Sequence, residues 1–219
     1  MPPVPTDLAP ATAPLLSADA VTCRRGDRVL FRALTLALEP GQVVWLRGAN
    51  GRGKTSLLRL LAGLSTPEDG RITRHAPLLY VAHANALKED LTALESLRFL
   101  ARLQGRDDGD AALAAALQRF GIWNRRNAPV RTLSQGQRRR VALSRLALPP
   151  SPPVWVLDEP FDALDVEGIA ALNEVIAAHA RAGGAVVLTS HQALTLVSPE
   201  PVVLQLDGHA PPARQKEAA

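Results

Sequence analysis

The segment that most constrains this chain is Gly48-Ala-Asn-Gly-Arg-Gly-Lys-Thr55, set between an apolar run, Gln42 to Arg47, and a leucine-spaced run from Lys54 to Gly63. A buried strand, a glycine-rich loop and a helix closed by glycine form the context in which G-x-x-x-x-G-K-[ST] binds phosphate. The unobstructed backbone N–H groups of the loop and the helix N-terminus can then surround the α and β phosphates of a nucleotide. Gly48, Ala49, Asn50, Gly51, Arg52, Gly53, Lys54, Thr55 and Ser56 are therefore candidate nucleotide contacts. Within this set Lys54 reaches toward the β and γ phosphates, and the Thr55 hydroxyl is a ligand for Mg²⁺.

The rest of the chain supplies the layers that such a unit needs. Apolar positions alternate from Asp19 to Leu38, which predicts two antiparallel strands joined by a Gly26-Asp27 turn. A turn is expected around Pro67 to Gly70 and a strand over Leu78 to His83. Thr92 to Gln104 and Asp108 to Phe120 read as helices, the first opened by the capping box Thr92-Ala-Leu-Glu95 and the second ended by Gly121. After the break Pro149 to Pro153 come a buried strand (Val154 to Leu157), a helix (Val166 to Arg181), a buried strand (Ala185 to Thr189) and a short strand (Val202 to Leu206). The expected fold is α/β: a three-layer P-loop core with an antiparallel β edge subdomain and an inserted α-helical subdomain. Its single domain runs over residues 19–207, with core segments at about 19–83 and 149–207 and the helical insert at about 84–148. Met1 to Ala18, rich in Pro and Ala, reads as a flexible leader, and residues 208–219 as a loose tail.

Bulk properties narrow the function classes. The single cysteine, Cys23, cannot form an internal disulfide, so no oxidising compartment is required. No apolar run approaches the ~18–20 residues of a membrane-spanning helix. A formal charge of +4 with pI near 10.0 is a modest surplus that does not by itself select a partner.

Val154-Trp-Val-Leu-Asp158-Glu159 is an apolar strand ending in two carboxylates. Downstream of a phosphate loop, that arrangement sets Asp158 beside Mg²⁺ and leaves Glu159 to accept a proton from an attacking water. In Leu133-Ser134-Gln135-Gly136-Gln137, Ser134 reads as a helix N-cap, and the exposed helix start with Gly136 offers a second anion-binding surface. Taken alone, this segment is better read as a well-capped helix and no more, and His191 as an ordinary polar strand end.

In order and spacing, the phosphate loop, Leu133 to Gln137, Val154 to Glu159, Ala163-Leu164-Asp165 and His191 resemble the ATP-binding cassette family, over about Ala18 to Asp207. The resemblance implies an ATPase using ATP and Mg²⁺, with Lys54, Glu159 and His191 as catalytic residues. It further implies that Ser134, Gln135, Gly136 and Gln137 meet the γ-phosphate held by a second copy in a head-to-tail homodimer, and that Asp165 communicates across that dimer. Two positions depart from the pattern. The usual aromatic adenine contact falls near Arg25, whose guanidinium plane is the candidate replacement. His83 stands where most cassettes carry glutamine and joins Thr55 and Asp158 as a candidate contact to the metal, its water or the phosphate.

With Leu91-Thr-Ala-Leu-Glu-Ser-Leu and Gly136-Gln-Arg-Arg-Arg-Val-Ala-Leu-Ser-Arg-Leu, the chain is similar to the ATP-binding subunits of bacterial cytochrome c maturation, or haem export, systems. That similarity implies a separate integral membrane subunit as partner and a peripheral place on the cytoplasmic face of the inner membrane. The groove near His83 to Arg102 would then transmit motion to that subunit. Alternatives within the fold are an ATPase serving another transported substrate and a soluble cassette ATPase acting on nucleic acid or ribosomes. Relatives of the second kind usually carry a coiled-coil insertion or two fused cassettes, which this chain lacks. The run Arg138-Arg139-Arg140, with Arg125-Arg126, has no interleaved aromatics and reads as a solvated helix face or a partner and membrane contact, so no nucleic-acid binding is expected. No Cys/His cluster at ligand spacing is present in the sequence, and direct haem ligation is not expected.

Overall fold

The computed structural model describes residues 13–196 and 198–209. Two sheets and five helices are built from them. Strands β1 (Leu16–Arg25) and β2 (Arg28–Leu38) form a hairpin, and β4 (Asp69–Arg74) pairs antiparallel with the other edge of β1. Strands β3 (Val43–Arg47), β5 (Leu78–Val81), β6 (Val154–Leu157), β7 (Ala185–Thr189) and β8 (Val202–Gln205) make a second sheet in the order β5-β6-β7-β3-β8, all of whose pairings are parallel. Helices α1 (Lys54–Leu61) and α5 (Val166–Arg181) belong to the core. Helices α2 (Ala93–Leu103), α3 (Asp110–Arg119) and α4 (Gln135–Ser144) make the insert.

Side-chain alternation divides the parallel sheet between two cores. Val44, Leu46, Val154, Val156, Ala185 and Val187 face α1 and the antiparallel sheet, packing with Leu57, Leu61, Phe31 and Leu34. Their chain neighbours Val43, Trp155, Leu157, Val186 and Leu188 face the opposite way onto Leu172, Val175 and Ile176 of α5. Because both faces are covered, these strands read as continuous apolar runs. A third cluster, with Leu97, Leu113, Leu117, Ile122 and Val141, holds the helical insert together. Each fully buried Leu or Ile there is worth about 1.5–3 kcal/mol, enough to give the insert a core of its own.

Three expectations on chain organisation need correction. The predicted leader reached Ala18, but β1 begins at Leu16, and Leu16 and Ala18 are both fully buried. Residues 1–12 of that leader, and 210–219 of the predicted tail, lie outside the described residues. Gly208 and His209, also assigned to the tail, belong to a 3₁₀ turn, Leu206–His209. Strand β4 occupies ground expected only to turn, around Pro67 to Gly70, and the stretch after it. Its sequence, Asp-Gly-Arg-Ile-Thr-Arg, has one apolar residue, so its extended form comes from pairing with β1 rather than from its own pattern.

Candidate functional site

Parallel strands deliver their carboxyl ends to one edge of the sheet, where α/β folds bind ligands. Here β3 leads into the glycine loop, β5 into Ala82-His83, β6 into Asp158-Glu159 and β7 into Ser190-His191. One cavity of about 310 Å³ is lined by Asn50, Gly51, Gly53, Lys54, Thr55 and Ser56 of the loop together with Arg25, His83, Asp158, Glu159 and His191. Residues scattered over most of the chain therefore meet at one cavity.

The loop owes its path to glycine. Gly53, immediately before α1, has φ +100, and a Cβ there would stand 3.0 Å from the Leu30 Cβ. Glycine alone satisfies both the backbone angle and the contact. Lys54 Nζ donates to the Gly48 carbonyl at 2.8 Å and the Ala49 carbonyl at 3.5 Å, so its ammonium lies across the loop. Gly48 and Lys54 also line an adjacent polar cavity of about 330 Å³, with Trp45, Arg47, His191 and Asp207. Asp207, in the turn after β8, braces the loop from outside: its carboxylate accepts from the Ala49 N–H at 3.3 Å and pairs with Arg52 Nε at 3.1 Å.

The carboxylate pair is almost fully enclosed, Asp158 being 2% and Glu159 8% exposed. Asp158 Oδ1 accepts from the Thr55 hydroxyl at 3.2 Å and from the Thr189 hydroxyl at 3.1 Å. Thr189 in turn accepts from the Glu159 N–H at 2.8 Å. The Glu159 carboxylate accepts from the His191 N–H at 3.0 Å, and its other oxygen lies 3.5 Å from His191 Nε2. Glu159 has φ +47, a left-handed conformation that costs a non-glycine residue of order 1–3 kcal/mol and persists only where surroundings hold it. Sequence reasoning missed Thr189 and Asp207. A hydroxyl ending a buried strand was the only sign of the first, and the short turn after β8 gave none of the second.

His83 and Arg25 both reach the cavity rim. His83 Nδ1 is 3.5 Å from Asp162 Oδ2, with most of the ring in solvent. Arg25 is exposed and has no aromatic neighbour in the lining.

The Ser134 segment does not join this cavity. Ser134 caps α4 by accepting from the Gln137 N–H at 3.2 Å, while the Gln137 side chain accepts from the Ser134 N–H at 3.1 Å. Ser134, Gly136 and Gln137 line a separate cavity of about 500 Å³ with Ala163 and Asp165, and Gln135 is exposed beside them. The Asp165 side chain caps α5 and bonds to Arg140, which holds its carboxyl below the usual range. Gly136 is needed for close approach, since a Cβ there would stand 2.7 Å from the Ala163 carbonyl oxygen.

The arginine run corrects a further expectation. Far from forming a solvated face, Arg139 and Arg140 are 2% and 9% exposed. Arg140 donates to the Phe120 carbonyl, and Arg138 to the carbonyls of Val130, Arg131 and Leu133. Arg139 donates to carbonyls beside the carboxylate pair.

Comparison with known proteins agrees with this geometry. The ABC transporter domain model matches residues 31–162. The cytochrome c biogenesis ATP-binding export protein CcmA of Aromatoleum aromaticum is 45% identical over 207 residues, covering 89% of this chain and 96% of that protein. CcmA of Methylococcus capsulatus is 46% identical over 191 residues, covering 82% and 92%. Among solved structures, an ABC transporter ATP-binding protein from Pyrococcus furiosus superposes with a TM-score of 0.77 at 23% identity, covering 90% of this chain and 99% of that one, which shows the shared fold. A phosphate loop and carboxylate pair at one sheet edge, with identity to CcmA proteins along most of the chain, make this an ATPase of the ATP-binding cassette transporter family, in its CcmA group.

Proposed function

We propose that the chain is the ATP-hydrolysing, energy-coupling subunit of a bacterial cytochrome c biogenesis export complex, and that it works as a head-to-tail pair of copies with ATP held between them. The observation that carries the two-copy part is the division of the predicted site. Lys54, Thr55, Asp158, Glu159 and His191 converge on one cavity while Ser134 and Gly136 open on another. A second copy must bring its Ser134 segment to the first copy's phosphate loop for the two halves to act together.

In this reading the loop N–H groups and Lys54 hold the phosphates, Lys54 Nζ exchanging its bonds to the Gly48 and Ala49 carbonyls for phosphate oxygens. Thr55 Oγ1 and Asp158 Oδ1, 3.2 Å apart, offer the oxygen donors that Mg²⁺ prefers. The ion, when bound with nucleotide, neutralises phosphate charge. Glu159, aimed by the His191 N–H, takes a proton from the water that attacks the γ-phosphorus, and the bond to the bridging oxygen breaks to give ADP and phosphate. Among the described residues no helix is long and apolar enough to cross a membrane, and the likeness to CcmA export proteins favours coupling through a membrane subunit. Exposed Phe99 and Leu103 on α2 give that partner an apolar contact near the His83 to Arg102 groove. Export would place the complex at the inner membrane, with this chain peripheral on its cytoplasmic face.

Two replacements test the proposal at different levels. Glu159→Gln is expected to bind ATP but to lose hydrolysis by about 10²- to 10⁴-fold, the usual worth of a general base. Lys54→Ala, introduced into cells whose membranes co-purify the protein, is expected to abolish c-type cytochromes. Normal cytochrome maturation in that strain rejects the export role and leaves the ATPase assignment standing.

A further inference from the structure

Arg139 is as buried as Asp158, yet among the described residues it makes no direct ion pair, and it directs all three side-chain nitrogens at two loops. Nε donates to the Pro160 carbonyl at 3.2 Å, and Nη2 to the carbonyls of Asp158 at 3.2 Å and Glu159 at 2.7 Å. Nη1 donates to the carbonyls of Ala82 and His83 and to Asn85 Oδ1, each at 3.1 Å. One planar fork thereby joins the loop after β5, which carries His83, to the loop after β6, which carries the carboxylate pair. Burial opposes the charge of this guanidinium, and the carboxylates of Asp162, Asp158 and Glu159 nearby sustain it.

The shortest of these bonds falls on the carbonyl of Glu159, the residue whose backbone is held left-handed at φ +47. Its N–H is fixed by Thr189 and its carboxylate by the His191 N–H. The carbonyl accepts both from the Asp162 N–H, at 3.2 Å within its own turn, and from Arg139, which ties it to α4. The residue also lies on α4, five positions after Ser134, so about 7.5 Å of continuous helix separates the carbonyl clamp from the capped end.

We infer that Arg139 is a positioning residue for the Glu159 base and the His83 segment, and that it carries the position of the Ser134 end of α4 to both. The inference rests on Glu159 being the base, and its second half on the two-copy reading. It gives the composite site a physical link: a shift of α4 caused by contact at Ser134 and Gly136 moves the carbonyl clamp, and with it the carboxylate that activates water.

A double-mutant cycle on the full chain tests this, with single-turnover ATP hydrolysis and ATP dissociation constants measured for each variant. Arg139→Gln and Arg139→Met are expected to slow hydrolysis at saturating ATP by about tenfold or more, with ATP affinity within about twofold of the parent. Arg139→Lys, which keeps the charge but not the fork, is expected to behave like them. In a Glu159→Gln background the same replacements should slow the residual rate by less than about twofold, because the group that Arg139 positions is already gone. If Arg139→Met fails to fold, the Lys and Gln variants complete the cycle. Effects that multiply between the two positions, a loss of ATP affinity parallel to the loss of rate, or full rescue by Lys each overturn the role of Arg139 while leaving the base in place. Normal hydrolysis by Glu159→Gln alone overturns the base reading and this inference with it.

Discussion

At the scale of single residues, the phosphate loop is held on both sides, and the outer side was not evident from its motif. Asp207 accepts from the Ala49 N–H and pairs with Arg52, and both interactions fall on the segment between Gly48 and Gly53 that must keep its shape around phosphate. A half-exposed ion pair contributes about 0.2–1 kcal/mol and a backbone hydrogen bond about 0.5–1.5 kcal/mol. Asp207→Ala is therefore expected to raise the KM for ATP by about two- to tenfold with little change in kcat, since neither contact touches the reacting atoms. Asp207→Asn, whose amide oxygen still accepts from Ala49, should fall between the two. Steady-state kinetics with nucleotide titration checks the order, and an unchanged KM in Asp207→Ala would show that the loop holds its shape without the brace.

At the scale of elements, α4 carries three constraints at once: a reciprocal cap at Ser134, a contact at Gly136 that excludes any side chain, and a buried arginine face. Gly136→Ala tests the second. Its Cβ would meet the Ala163 carbonyl oxygen at 2.7 Å, and Ala163 is itself held at φ +62, so neither partner has an inexpensive way to yield. The cost of forcing such a contact is about 1–3 kcal/mol. A lower urea midpoint is expected, with ATPase activity falling further than stability because the capped end of α4 shifts; an unchanged midpoint and rate would mean that the segment around Ala163 relaxes freely. The elements also show what a sequence conveys. Strands β6 and β7 and helix α5 were readable to the residue, because burial on both faces or a long amphipathic period writes itself into the local pattern. Strand β4 was not, since its partner β1 lies far away in sequence and its residues are polar. Residues bearing reactive groups were legible through their motifs, from Lys54 to His191. Arg139 was not, because a helix showing three arginines to water and one burying them among carbonyls have the same local sequence. The distinction is made by the loops after β5 and β6, about 20 to 57 residues distant in the chain.

At the scale of the whole molecule, the two predicted halves of the site line separate cavities of one chain. The Ser134 cavity is closed behind by Gly136 against Ala163 and by Arg140 bonded to both Phe120 and Asp165. Bringing Ser134 to Lys54 within a single copy would require those contacts to break together. Association of two copies needs none of them to change. It follows that ATP binding, which the phosphate loop performs within one chain, and hydrolysis, which in this reading needs the second copy's Ser134 end, should depend differently on protein concentration. The ATP dissociation constant measured on dilute protein is expected to be nearly constant. The hydrolysis rate per chain should rise with concentration until the paired form dominates, approaching the square law for total rate at the dilute end. Glu159→Gln, which retains ATP without turnover, should sediment as a pair at concentrations where the parent is single. A rate per chain that stays constant down to concentrations at which only single copies sediment would place the complete hydrolytic apparatus within one chain and remove the need for the second Ser134 segment.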